Sequence, residues 1–198
     1  YAMNLLLDVA ACSAASYGKE TWCIELDSRT TIPCSLFNKN TYAVVGSGAK
    51  GLVYYQWRGD CRSKGTPTPN TCGMINCDGT KTANFDNAAK MVKFLNEMSD
   101  VIINTKRTKS HIGMLYSDYA TFFCDACENT VEKRRDPTLS NSYQMQFREV
   151  YSDLRKCGYN VDLVDEKALI ENVFDIKTLF VIRRDFLSDG ERTAVERF

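Results

Sequence analysis

The sequence predicts an α/β protein made of two units, each with parallel strands. Three observations carry that prediction. Short apolar runs alternate with amphipathic stretches of helical length: Thr21-Trp-Cys-Ile-Glu-Leu26, a helix pattern over 35–45, then Gly51-Leu-Val-Tyr-Tyr-Gln-Trp-Arg58. A basic stretch, Thr105-Lys-Arg-Thr-Lys-Ser110, interrupts the pattern and reads as a linker. After it the strand–helix–strand rhythm starts again, and strands separated by a helix of this length favour a parallel sheet with right-handed crossovers.

Taken in order, residues 2–16 place Leu5, Leu6, Val9, Ala10, Cys12 and Ala14 in a pattern suited to a helix on a sheet, and Gly18 ends it. Residues 20–26 read as a buried strand and 27–33 as a loop closed by Pro33. A helix fits 35–45, with Ser35 as N-cap and Leu36, Tyr42 and Val45 on its apolar face. The strand at 51–58 follows. The stretch 59–82 is long, rich in Gly, Pro, Asn and Asp, and without periodicity; such loops are often functional, and this one follows a strand end as active-site loops do in barrels. Phe85, Ala88, Val92, Leu95, Met98 and Ile102 predict one helix over 84–104.

In the second unit, 111–116 is a strand and 124–141 a polar loop. Tyr143, Phe147, Val150, Tyr151 and Leu154 mark a helix over 142–157, stopped by Gly158. Strands follow at 160–164 and 178–182. Ser188 with Glu191 forms a capping-box signature for a last helix.

Composition narrows the function. The chain has 198 residues, 44% hydrophobic and 25% charged, with formal net charge zero. A neutral chain offers no electrostatic capture of nucleic acid or of an anionic membrane surface, and none of the linker's charges interleaves with aromatic residues. No apolar run reaches the roughly 18 residues of a spanning helix, and the opening residues lack the basic region of a signal peptide. A first residue Tyr1 and a last stretch in mid-helix pattern read as a piece of a longer protein. The nine cysteines are an odd number in a chain long enough to bury a core, which predicts mostly reduced thiols in a cytoplasmic setting. Cys124-Asp-Ala-Cys127 and the Cys72/Cys77 pair are the only metal-like spacings; with one histidine, His111, they do not make a convincing four-ligand site, and no metal or cofactor is expected.

Gly46-Ser-Gly-Ala-Lys-Gly51 matches the dinucleotide fingerprint in letters but not in order. A helix precedes it and a strand follows, so no helix N-terminus faces the loop, and the glycines read as a tight turn. Glu25 is the sharpest chemical candidate. A carboxylate between Ile24 and Leu26 is costly to bury without a partner, and its surroundings could tune it as nucleophile or acid. The alternatives are a solvent-facing strand position or a pair with Arg29 or Arg58. Trp57 can stack on a sugar or base, or form part of the core. The reading places Glu25 and Trp57 on one cleft. Serine and threonine nucleophiles have no base, because His111 is the only imidazole and lies in the other unit.

The segments Trp22-Cys-Ile-Glu-Leu26 and Gly48-Ala-Lys-Gly-Leu-Val-Tyr-Tyr-Gln-Trp-Arg58 resemble the end of the barrel in family 42 glycoside hydrolases, the β-galactosidases. The resemblance continues through Cys72-Gly-Met-Ile-Asn-Cys-Asp-Gly-Thr80 and the helix from Asn84. In the second unit Ile112-Gly-Met-Leu-Tyr-Ser117, Phe147-Arg-Glu-Val-Tyr151, Leu179-Phe-Val-Ile182 and Phe186-Leu-Ser-Asp189 follow the family's order. The resemblance implies residues 1–107 as the C-terminal part of a (β/α)8 barrel, its last two strands and helices. It implies 108–198 as a truncated flavodoxin-like (glutamine-amidotransferase-like) trimerisation domain. It makes Glu25 the catalytic nucleophile of a retaining enzyme acting on terminal β-galactosides, with Trp57 lining the sugar cleft and Arg58 supporting its floor, and it implies a homotrimer. The family's acid/base carboxylate, in an Asn-Glu pair after the fourth barrel strand, has no counterpart in these residues, so the piece is expected to be inactive alone. The Glu and His that contact galactose in many members are replaced by Pro69-Asn-Thr-Cys72, which leaves the sugar open. A non-catalytic assembly module is the other reading.

Overall fold

The structure, a computed structural model, describes residues 2–28, 32–59, 73–128 and 143–198; the side chains of 2–4, 125, 127 and 128 fall outside the description. It resolves into two compact units, Glu20–Arg107 and Tyr1–Lys19 with Thr108–Phe198. Both are mixed α/β with small parallel sheets.

In the first unit β1 (Trp22–Asp27) and β2 (Gly51–Tyr55) pair in parallel across α2 (Cys34–Gly46). The α2 N-cap is Pro33 rather than Ser35, and no side chain caps it; proline's fixed φ suits that position. The predicted tight turn is present: Ser47 and Gly48, at φ +97°, join α2 to β2. One face of β2 packs on α2. The Phe37 and Tyr54 rings stack at 4.9 Å, and the Tyr54 hydroxyl meets Thr41 Oγ1 at 2.9 Å. Phe37, Met74, Ala88 and Met91 form the buried centre of this unit.

The helix expected over 84–104 is two, α3 (Phe85–Glu97) and α4 (Ser99–Asn104), separated at Met98, whose φ of −96° and ψ of 7° leave the helical region. Lys50 secures the end of α4 by donating from Nζ to the carbonyls of Ile102 (2.5 Å) and Thr105 (2.6 Å), orphan acceptors that a cation satisfies.

In the second unit β3 (Ile112–Tyr116) is central, with β4 (Asp162–Asp165) and β5 (Thr178–Phe180) parallel on either side. Side-chain alternation divides the core. Met114 and Leu163 pack with α5 (Asp118–Glu128) and α6 (Tyr143–Lys156) on one face; Leu115 and Val164 pack with α7 (Glu166–Glu171) and α8 (Asp189–Arg197) on the other. A Cβ at Gly113 would stand 2.3 Å from Ile176 Cδ1, so the end of that side chain packs directly over the glycine. The predicted capping box is formed: Ser188 Oγ accepts from Glu191 N–H, and Glu191 Oε2 accepts from Ser188 N–H at 2.8 Å.

Two expectations are corrected. Residues 124–128, expected in a loop, complete α5; the rest of that loop, 129–142, lies outside the described residues. Helix α1 (Ala2–Ser16) packs on a sheet as expected, but on β4, so residues 1–19 join the second unit and not the part expected over 1–107. Its Leu5 and Cys12 enter the Met114–Phe147 cluster. Polar contacts fix its register: Leu163 N–H donates to Cys12 Sγ, Ser13 Oγ to Asp165 at 2.6 Å, and Tyr151 hydroxyl to Asp8 at 2.5 Å.

Candidate active site

The carboxyl ends of β1 and β2 carry the predicted residues. Glu25 stands in an irregularity of β1: the register with β2 shifts between Cys23 and Leu26, so three steps on one strand match two on the other. The bulge leaves Ile24 and Glu25 exposed before Leu26 turns back into the core. Glu25 is therefore exposed, the solvent-facing alternative of the sequence reading, and not a buried carboxylate. Of its alternative partners, Arg58 is engaged elsewhere and Arg29 lies outside the described residues. Just beyond, buried Ser28 donates its hydroxyl to the Tyr55 carbonyl and ties the two strand ends together.

Past β2 the Tyr55–Gln56 peptide is cis, and Trp57 and Arg58 follow. The Trp57 ring is 65% exposed, with its centroid 5.9 Å from that of Phe85. It lines a groove of about 870 Å³ along β2 and α3, together with Leu52, Tyr54, Met74, Phe85 and Val92, with Lys93 and Glu97 among its polar groups. Glu25 is not in that lining, so the structure brings Trp57 to the groove without Glu25. Arg58 donates from Nη2 to the Cys77 carbonyl. Its positive charge contributes, after the hydrogen bonds from Thr80, to holding the Asp78 carboxyl below the usual carboxylate range.

Sequence reasoning missed the partner of this tip. Residues 73–82 return alongside 56–59: Ile75 N–H donates to the Trp57 carbonyl at 2.9 Å, and Gly59 N–H to the Ile75 carbonyl at 3.1 Å. Cys77 is disulfide-bonded. A disulfide sulfur is not a thiolate, which removes Cys77 as a metal ligand. Among the described residues Cys12, Cys23, Cys34, Cys124 and Cys157 are not disulfide-bonded. Among the described residues no cluster of three or more His, Cys, Asp or Glu could hold a metal ion, and no helix is long and apolar enough to cross a membrane.

In the second unit the sheet's carboxyl edge is occupied from within. Glu166 Oε1 accepts from the Tyr119 N–H (2.6 Å) and the Ser117 hydroxyl (3.1 Å), filling with its own carboxylate the place an anion would take at the start of α5. The Tyr143 hydroxyl accepts from Ser117 N–H (3.0 Å) and donates to the Leu115 carbonyl (2.9 Å); burial pushes its phenol well above the usual tyrosine range.

No protein-family model matches the sequence, and no curated protein does. Solved structures do. Gan42B, a GH42 β-galactosidase from G. stearothermophilus, aligns with 98% of this chain at a TM-score of 0.73 and 16% identity, over 27% of its own length. The β-galactosidase of the psychrophilic Marinomonas ef1 aligns with 91% at 0.66 and 14% identity, over 28% of its length. A GH5_18 protein from Bifidobacterium longum aligns with 94% at 0.56 and 10% identity. At these identities the likeness is one of fold, and the chain spans little more than a quarter of the β-galactosidases it matches: it has the fold of a partial glycosidase barrel, as found in GH42 β-galactosidases.

Proposed function

We propose that this chain is the C-terminal part of a retaining β-galactosidase, with Glu25 as nucleophile, Trp57 lining the sugar cleft and Arg58 supporting it. The observation that carries the reading is the likeness to a GH42 β-galactosidase over 98% of the chain. Glu25 then stands at the carboxyl end of a parallel strand, where barrel enzymes place their catalytic residues. Its exposure leaves the carboxylate open to a substrate's anomeric carbon. The general acid/base is a second carboxyl, which retaining enzymes hold about 5 Å away. In this reading it comes from outside the 198 residues, and the piece alone does not hydrolyse galactosides.

The second unit is read as the flavodoxin-like trimerisation domain of that enzyme, without bound cofactor, since Glu166 blocks the phosphate position at α5. The five described cysteines without a disulfide fit a cytoplasmic setting; the Cys77 disulfide does not, because disulfides persist in oxidising compartments. The test is hydrolysis of an aryl β-galactoside by the longer polypeptide, with and without Glu25→Ala.

One observation favours the alternative of a non-catalytic assembly module. Along α5, Tyr119, Phe122 and Phe123 form an aromatic ladder, with Phe122 68% exposed, and exposed aromatic patches mark association surfaces. Turnover distinguishes the readings: both allow a trimer in sedimentation, but only the first requires Glu25 for hydrolysis.

A further inference from the structure

Among the described residues β2 has one strand neighbour, β1, and its other edge carries no strand. The apolar groove follows that open edge. Leu52, Val53 and Tyr54 all line it. Consecutive strand residues point to opposite faces, so a groove that touches all three runs beside the strand and not over one face. The opposite wall is α3, through Phe85, Ala89 and Val92. Val53, Ala89 and Val92 are exposed there. Lys93 and Glu97 pair with each other at 3.9 Å, so the groove's two charged groups answer one another and call for no charged occupant.

An open strand edge is completed by another strand. β2 is five residues long. A strand of about that length fills about 800 Å³, taking a rise of about 3.3 Å, a width of about 4.8 Å and a layer depth of about 10 Å. The groove holds about 870 Å³. Parallel order follows from the β1–β2 pair, because sheets tend to be wholly parallel or wholly antiparallel. The source follows from the comparison with Gan42B: this chain matches that fold over 98% of itself but over only 27% of Gan42B's length. A two-stranded sheet is also too small to stand alone.

We propose that the groove between the free edge of β2 and α3 seats a further strand, apolar and parallel to β2, supplied by the longer polypeptide. The inference rests on the reading of the chain as part of a longer barrel protein and not on the role of Glu25. The seated strand continues the β1–β2 ladder through the outward N–H and C=O groups of β2, and its side chains pack against Ala89 and Val92.

The test compares amide hydrogen exchange in the 198-residue chain and in the longer polypeptide. Protection at the outward amides of Leu52–Tyr55 should be about a hundredfold higher in the longer one, a gain at least about tenfold larger than that of Val44 in α2. Ala89→Arg reads the seat independently. Residue 89 is exposed on a helix, so the variant should leave the urea midpoint of the 198-residue chain unchanged. In the longer polypeptide it puts a charge into the seat and should lower Leu52–Tyr55 protection by about tenfold or more. Should that variant not fold, exchange on the two unaltered polypeptides reads the same quantity. Equal protection in the two polypeptides, or Ala89→Arg without effect in the longer one, overturns the proposal. Protection in the 198-residue chain that rises with its concentration, with sedimentation as a dimer, also overturns it by making a second copy the occupant. Protection gained in a longer polypeptide that does not hydrolyse galactosides supports the seat and removes the catalytic reading instead.

Discussion

Trp57→Ala separates the two roles a strand-end tryptophan can have. The ring is 65% exposed, so only about a third of it is covered, chiefly by Phe85 and the groove wall. A tryptophan offers on the order of 200 Å², so about 70 Å² of contact is lost, or about 2 kcal/mol at 25 cal/mol per Å². Phe37, fully buried and stacked on Tyr54, sets the comparison: Phe37→Ala should cost about 3–5 kcal/mol. If Trp57 is a sugar platform, its loss also removes stacking on the apolar face of a pyranose. About 60 Å² of such contact is worth about 1.5 kcal/mol, or roughly tenfold in affinity. The assay pairs urea unfolding of the chain with the galactoside KM of the longer polypeptide. A small stability loss with a KM about tenfold higher is the expected pair. A stability loss matching that of Phe37→Ala, with KM unchanged, would make Trp57 a core residue and refute the reasoning.

Other outcomes follow from the second unit. Tyr143→Phe strands a buried N–H of Ser117 and weakens the satisfaction of the Leu115 carbonyl, so it should cost about 2–4 kcal/mol in denaturant unfolding. The same residue sets an alkaline limit. Its folded pKa is raised, so above pH ~10 the unfolded state loses a proton that the folded state keeps, and stability falls by about 1.4 kcal/mol per pH unit. Tyr143→Phe should remove that share of the slope. Ser188→Ala breaks the capping box on α8 and should cost about 1 kcal/mol by the same unfolding assay.

Much of the fold was legible because its signals are local. The five strands and α6 announce themselves by short apolar runs and by the Tyr143–Phe147–Tyr151 stripe, all three buried as read. The capping box was legible for the same reason. Helix α5 was not, because its inward residues include the small Ala120 and Cys124 while Phe122 faces out, so no apolar stripe marks it. Nor does sequence say which sheet receives α1. Its apolar face suits any sheet, and the choice of β4 is made by Cys12, Ser13 and Asp8 meeting Leu163, Asp165 and Tyr151.

The candidate site divides in the same way. The carboxylate and the Gln56-Trp57-Arg58 tip could be read from residue type and position. The bulge that exposes Glu25 could not, since it is a property of the β1–β2 register and not of Ile24 or Leu26. The return of residues 73–82 onto Arg58 is a long-range pairing across a stretch without periodicity, and nothing in its letters shows it.

The most direct test of the account is Glu25→Ala in the longer polypeptide, assayed on an activated aryl β-galactoside with and without azide. The account predicts a fall in kcat of at least about a thousandfold, with azide restoring turnover and yielding the galactosyl azide of inverted configuration, as removal of a nucleophile requires. Near-normal hydrolysis by the variant, with azide without effect, would contradict it.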